Sequence, residues 1–346
     1  MLKIEGLSND WGRFQLKNID LEINEGEFLV ILGPSGSGKT LLLETIAGFT
    51  IPDEGKIIRN KKDITKFSPE KRDLGFVYQD FALFPHLTVR ENIAFGLEDK
   101  GSERVKKLAS FLSIEDLLDE NTITLSGGEK QRVTLARAIA TKPNFMLFDE
   151  PLSSLDERIQ EKMRREIKEM HKNMGLTSIY VTHDQSEAMY LADQIAIMME
   201  GKIVQTGKPE DVFYEPKNEE IAKFVGIENI YSGNIKEKED SLAKIDIGKK
   251  QIEAICGLEK GSNVRLMIRP EEVFIKKQKN PSSARNQFKG VIKEVIDEGS
   301  MLRLKIDCGF KLTSYITRKS FKEMELKSGE KIVANFKASS VHSVKE

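Results

Sequence analysis

Apolar and polar residues alternate from Leu2 to Ile23, with turn residues at Asn9-Asp10 and again at Asn24-Glu25-Gly26. That period of two predicts strands with one buried face. The alternation then stops: Phe28-Leu29-Val30-Ile31-Leu32 is apolar throughout, as in a strand covered on both sides, and Leu41 to Ala47 reads as a helix. Further apolar runs predict strands at Gly55–Ile58, Leu74–Tyr78, Phe145–Phe148 and Ser178–Val181, the last leading to a helix near Ser186. Residues from about 89 to 142 read as mostly helical, with periodic Val105, Leu108, Leu112 and Leu117. Buried strands interleaved with helices predict an α/β fold around a parallel sheet.

After Tyr214-Glu215-Pro216-Lys217-Asn218 and a short helix near 219–225, the pattern becomes β-rich and repeats itself. Gly233-Asn234-Ile235-Lys236-Glu237 echoes Gly290-Val291-Ile292-Lys293-Glu294, Lys244 to Gly248 echoes Lys305 to Gly309, and Gly261–Val273 aligns without gaps on Gly329–Val341. Two copies of a small barrel-like unit are expected. A length of 346 residues suits about two domains, placed at 1–228 and 229–346. With 54 basic against 55 acidic residues, nothing in the charge calls for nucleic acid. The two cysteines, Cys256 and Cys308, are read as core fillers. No run approaches the roughly 18 apolar residues of a membrane span, and Met1-Leu2-Lys3-Ile4-Glu5 has no signal-like character, so a cytoplasmic chain reaching any membrane through a partner is expected.

Chemistry concentrates where predicted strands end. Gly33-Pro34-Ser35-Gly36-Ser37-Gly38-Lys39-Thr40 fits G-x-x-x-x-G-K-[ST] between a strand and a helix, the context in which backbone N–H groups and a helix start wrap a di- or triphosphate. Lys39 is expected at the β/γ-phosphates and Thr40 on Mg²⁺. Asp149-Glu150 closes a buried strand; neighbouring residues there point to opposite sides, so Asp149 suits the metal and Glu150 an attacking water. His183 reaches the same carboxyl edge, as a helix-start residue or as a catalytic group. Ser126-Gly127-Gly128 opens another helix, either as a simple cap or as a second anion cradle. Trp11 either caps a hairpin or stacks on a base. The apolar loop Phe81 to Leu87 either packs in the core or forms a groove for another chain's helix. Before the second β copy, Ser282-Ser283-Ala284-Arg285-Asn286-Gln287 is either a polar linker or a donor set for a tetrahedral dianion. Where the first copy has Arg269-Pro270-Glu271-Glu272, the second has Lys337-Ala338-Ser339-Ser340, so carboxylates that would repel an anion give way to hydroxyls.

Residues 1 to about 228 resemble the ATPase subunit of ATP-binding cassette transporters: phosphate loop, Gln79, Leu125-Ser126-Gly127-Gly128-Glu129, Phe148-Asp149-Glu150, Ser153-Ser154-Leu155-Asp156 and His183 follow in that family's order. The resemblance implies a P-loop NTPase fold with a helical subdomain, followed by an all-β, OB-like regulatory domain. It makes Trp11 the base-stacking residue, Gln79 a magnesium and water sensor, Glu150 the general base and His183 the γ-phosphate contact, and it adds Thr45 and Asp156 to the nucleotide set. It also implies a homodimer closing around two ATP, each Ser126 segment meeting the partner's phosphate loop. The Phe81–Leu87 groove would then receive a membrane permease, fed by an extracytoplasmic binding protein, with the ATPase peripheral on the inner face of the membrane. Ser283 to Gly290 and Phe336 to Val341 resemble the two motifs of molbindin-type domains, which bind molybdate or tungstate between subunits. That likeness implies oxyanion contacts from Ser283, Arg285, Asn286, Lys289, Lys337, Ala338 and Ser339, and regulation of uptake by the internal anion. A non-transport ATPase, or a sulfate or sugar importer whose second domain only clamps a dimer, are the alternatives.

Overall fold

The computed structural model describes residues 1–98, 103–278 and 283–346, so Ser282 lies outside the described residues. The chain divides into two compact units, Met1–Val212 and Phe213–Glu346.

In the first unit the alternating opening forms β1 (Leu2–Asp10) and β2 (Gln15–Ile23), and the apolar run after them is β3 (Phe28–Leu32). The helix α1 (Lys39–Ala47) begins at the lysine of the phosphate-loop motif, and β4 (Glu54–Arg59), β5 (Lys62–Asp63) and β6 (Leu74–Val77) follow. Residues 89–142 carry α2 (Val89–Ala94), α3 (Glu103–Phe111) and α4 (Gly127–Ala140). The unit then returns to strands: β7 (Phe145–Asp149), the helix α5 (Glu157–Met174), β8 (Thr177–Thr182), the helix α6 (Gln185–Leu191), β9 (Gln194–Met199) and β10 (Lys202–Gly207).

The strands form a four-stranded sheet in the order β2-β1-β4-β5 and a six-stranded sheet in the order β10-β9-β3-β8-β7-β6. In the larger sheet β9, β3, β8, β7 and β6 run parallel. Their carboxyl ends therefore emerge on one edge, and β3, β7 and β8 are buried at every position, as continuous apolar runs require. Leu42, Leu43 and Ile46 of α1 share one apolar core with Leu29, Ile31 and Leu147 of the larger sheet and Leu2, Ile4 and Leu7 of the smaller one.

The far end of α1 is held by an unexpected residue. Arg72 is 1% exposed, and its guanidinium donates to the carbonyls of Thr45 and Ile46 in the last turn and to those of Thr65 and Phe67. A cation suits the negative end of the helix. Gly48, with φ of +90°, makes room: a Cβ there would lie 2.6 Å from Arg72 Nε.

The chain enters the second unit through α7 (Pro209–Tyr214), then α8 (Glu219–Phe224), β11 (Asn229–Glu239), β12 (Leu242–Asp246), β13 (Gln251–Ile255), β14 (Asn263–Ile268) and β15 (Phe274–Lys276). The second copy supplies β16 (Asn286–Asp297), β17 (Met301–Asp307), β18 (Lys311–Thr317), the helix α9 (Arg318–Glu323), β19 (Lys331–Phe336) and β20 (Val341–Lys345). The two sheets are β13-β12-β11-β14-β20 and β15-β19-β16-β17-β18. Each copy thus lends its last strand to the other, and one core spans both, with Ile245 and Leu266 beside Ile292, Leu304 and the two buried cysteines.

The division falls earlier than the expected 228/229, for a physical reason. Glu219 of α8 lies 3.2 Å from Arg265 Nε of β14, and Arg269 donates to the carbonyls of Phe213 and Val225. These ties bind residues 213–228 to the β-rich unit.

Arg72→Met removes a donor from three buried carbonyls and one half-buried one, and a buried carbonyl left unpaired costs about 1–3 kcal/mol, though Thr45 O keeps the Gly48 amide. A loss of at least ~3 kcal/mol in urea unfolding of the first transition is expected; a change under ~1 kcal/mol would show that the cap is dispensable.

Candidate functional site

The phosphate loop follows β3 directly. Gly38, with φ of +99°, is the N-cap residue of α1, and a Cβ on it would lie 2.5 Å from the Phe14 ring. A Cβ on Gly33 would lie 2.2 Å from the Met198 carbonyl, so the chain leaves β3 pressed against β9. Lys39 is 4% exposed, and its Nζ donates to the carbonyls of Gly33 at 2.9 Å and Pro34 at 3.0 Å. Burial pulls its pKa below the ordinary lysine value, and Glu150, 3.5 Å away, opposes that shift. Ser37 is buried inside the loop with no hydrogen-bond partner for its Oγ. An unpartnered donor, a buried ammonium and a helix start form a set suited to an anion. Ser35 and Gly36 border a cavity of about 380 Å³ with Gly12, Phe14 and Lys17. Trp11 is 36% exposed in the turn between β1 and β2, next in sequence to Gly12.

The ends of β7 and β8 supply the acids and the imidazole. Thr40 Oγ1 donates to Asp149 Oδ1 at 2.9 Å, and burial pushes the Asp149 carboxyl up to about 6, with the Thr40 hydrogen bond pulling the other way. Among the described residues no group of three or more His, Cys, Asp or Glu could hold a metal alone. A hydroxyl and a carboxylate at the phosphate loop instead match Mg²⁺, which takes one or two protein oxygens and completes its shell with phosphate and water. Glu150 has a φ of +41°, unfavourable for a residue with a side chain, and is locked there by hydrogen bonds from its N–H to Val181 and from Ser153 to its carbonyl. Its carboxylate sits between Lys39 and His183, whose Nδ1 is 2.8 Å from Glu150 Oε2. Gln79 is exposed just past β6, which pairs with β7 up to Val77 opposite Phe148.

Other expected residues divide. Thr45 does not join the set: it is fully buried, and its hydroxyl donates to Leu41 O within its own helix. Ser126 caps α4 in a reciprocal box with Glu129, whose carboxylate accepts from Ser126 N at 2.8 Å. Leu125 is buried beneath it, a Cβ on Gly127 or Gly128 would press on Leu155 or Ile159, and Asp156 caps α5. The Phe81–Leu87 loop is half-buried and pinned by Asn92, which sequence reading passed over. Asn92 accepts from Phe84 N and donates to the carbonyls of Phe84, Leu87 and Thr88. Its only signal is an asparagine in a helix after a capping threonine.

In the second unit one chain does not gather the expected oxyanion donors. The Asn286 side chain is committed: its Oδ1 accepts from Glu253 N and its Nδ2 donates to Glu253 O, both at 2.8 Å, like a strand partner for β13. Arg285 Nη1 is 3.2 Å from the Glu253 carboxylate, and Ser283 is exposed. Lys337 and Ser339 line a cavity of about 590 Å³ with Arg269 and His342, while Lys289 lines another of about 520 Å³ with Lys277 and Lys331. Ala338 is buried beside Lys337, and Ser340 donates to Glu272 of the first copy at 2.6 Å.

Comparison with known proteins agrees with this geometry. The ABC transporter family model matches residues 16–153 and the TOBE domain model residues 282–343. The chain is 43% identical, over 99% of its length and 99% of the relative's, to the molybdate/tungstate import ATP-binding protein WtpC of Pyrococcus horikoshii. It is 39% identical, over 91% of its length and 89% of the relative's, to the spermidine/putrescine import ATP-binding protein PotA of Thermotoga maritima. Among solved structures, the dimeric cassette MJ0796 superposes with a TM-score of 0.55 at 33% identity, covering 60% of this chain and 99% of that one. With a phosphate loop, paired acids and a histidine on one sheet edge, and a full-length relative at this identity, the chain belongs to the ABC transporter family as an ATP-binding subunit.

Proposed function

We propose that this chain is the ATP-hydrolysing subunit of a molybdate or tungstate importer, and that its second unit binds the same oxyanion and slows uptake. The observation that carries the ATPase chemistry is the meeting of Lys39, Glu150 and His183 in one hydrogen-bonded group beside Thr40 and Asp149. Lys39 exchanges its two loop carbonyls for phosphate oxygens, and Ser37 Oγ gains a partner. Thr40, Asp149 and Gln79 would hold Mg²⁺, which neutralises charge on the phosphate oxygens. Glu150 takes a proton from the attacking water, while His183 fixes the orientation of its carboxylate. A second copy brings Ser126, Gly127 and Gly128 to the phosphates. The Phe81–Leu87 loop, held rigid by Asn92, receives the permease on the inner face of the membrane.

The anion reading rests on Ser283, Arg285, Lys289, Lys337 and Ser339, cations and hydroxyls of the kind that bind a tetrahedral dianion. Asn286 acts by holding Glu253 and the edge of β13 rather than by touching the anion. Because one chain leaves these groups apart, a second copy completes the site. The similarity to a spermidine/putrescine subunit favours a second reading, in which the β-rich unit binds no oxyanion. Calorimetry on the full chain separates them: tungstate and molybdate bind and sulfate does not on the first reading, and binding of none of the three sinks it. With permease present, tungstate but not sulfate then lowers ATP turnover.

Two further outcomes follow from the catalytic geometry. Glu150→Gln keeps nucleotide binding while phosphate release falls by about 100-fold or more; near-normal turnover would reassign the base. The raised Asp149 pKa means that the folded, nucleotide-free protein holds this proton more tightly than the unfolded chain. Its contribution to stability is complete below about 4 and is lost as pH rises through about 6. Asp149→Asn should therefore gain stability relative to wild type between pH 5 and pH 8 in thermal unfolding, and a pH-independent difference contradicts the assignment.

A further inference from the structure

β8 delivers His183 to the site, but its ladder stops one residue short. Thr182 is the last residue of β8 paired with β3, opposite Leu32, and on the β7 side the pairing ends at Val181. What fixes the next residue is a polar cluster inside an apolar interior. Glu187, in the first turn of α6, is 4% exposed, and its Oε2 accepts from the Tyr180 hydroxyl at 3.0 Å and from Thr182 Oγ1 at 2.7 Å. Thr182 Oγ1 in turn accepts from Asp184 N at 3.0 Å. Carboxylate, hydroxyl and main-chain amide thus tie together the residues before and after His183, whose Nδ1 rests 2.8 Å from Glu150.

A carboxylate in such a place is costly. Burial pushes the Glu187 pKa up, against the hydrogen bonds from Thr182 and Tyr180 and the more distant charge of Arg164. An apolar side chain would fill the same space between α6 and β8 without that penalty. The hydrogen bonds, not the packing, distinguish glutamate here: its carboxylate holds Thr182, whose hydroxyl in turn holds the amide of Asp184 on the other side of His183.

We propose that Glu187 is a positioning residue for ATP hydrolysis, acting through Thr182 to hold the Thr182–Asp184 turn so that His183 stays against Glu150. The inference rests on the reading of Glu150 and His183 as the hydrolytic pair. Misplacing a reacting group by about 1 Å costs as much as 100-fold in rate, so a modest loosening of this turn is enough to be measured.

The test uses the full chain, with steady-state phosphate release normalised to the number of ATP-binding sites. Thr182→Val keeps the shape and removes the hydroxyl; Thr182→Ser keeps the hydroxyl; Glu187→Gln keeps an acceptor. Thr182→Val should lower kcat by about tenfold or more with KM for ATP within about twofold, while Thr182→Ser and Glu187→Gln stay near wild type. In a His183→Ala background, adding Thr182→Val should change kcat by less than about twofold, since the pair acts as one unit. Thr182→Ala replaces the valine variant if the latter does not fold. The proposal is overturned if Thr182→Val turns over normally, if serine fails to restore the rate, or if the tenfold loss persists without His183. A His183→Ala protein of normal activity overturns the underlying catalytic assignment as well.

Discussion

An ammonium group removed from water needs negative or dipolar neighbours, and the first unit is arranged around supplying them to Lys39. Two come from the carbonyls of Gly33 and Pro34, where the chain curls out of β3. The third comes from Glu150 beyond the end of β7, itself met by His183 from the end of β8. Only parallel neighbours bring three strand ends to one edge, so the sheet's direction is a requirement of this charge and not a separate feature. The cost is visible in the backbone: Glu150 accepts a left-handed φ, and Gly38 occupies a place where the Phe14 ring leaves no room for a Cβ. A site so assembled is poised for an anion, because phosphate oxygens can replace weak carbonyl dipoles with full charges.

The parts legible in the sequence were those whose physics is local. β3, β7 and β8 read as strands because both faces are buried and each carries a run of apolar residues, and the phosphate loop because glycine spacing and flanking elements are one pattern. Buried polar residues escaped. Arg72, Asn92 and Glu187 are each almost fully enclosed, yet in a sequence they look like ordinary surface residues, since what they bond to is carbonyls and hydroxyls brought by folding. Thr45 went the opposite way: the family resemblance put it in the nucleotide set, while the helix geometry turns its hydroxyl onto Leu41.

The repeat in the second unit shows the same limit in another form. Its strands were visible, but a strand carries the same alternation whether it pairs within its own copy or with the other. β15 lies on β19 and β20 on β14, an exchange that fuses two small barrels into one core. The exchange also brings residues of the two copies together, as when Ser340 meets Glu272, so the carboxylates of the first copy are not remote from the hydroxyls of the second. Asn286 belongs to this joint: its amide completes the edge of β13, which explains why so polar a side chain is buried.

Similarity across the whole chain says less about cargo than about mechanism. The subunit named for molybdate or tungstate and the one named for spermidine and putrescine differ by only four percentage points of identity to this chain, 43% against 39%. That is expected physically, because the residues around Lys39 handle phosphate and water whatever the permease carries. A dianion and a polycation nevertheless demand opposite charge wherever either is bound. In the second unit, Lys337 and Ser339 face one cavity and Arg285 is answered by Glu253. An anion approaching Arg285 must compete with that carboxylate. A polycation would meet carboxylates as well as cations at the Lys337 cavity, since Glu215 and Glu272 line it beside Arg269.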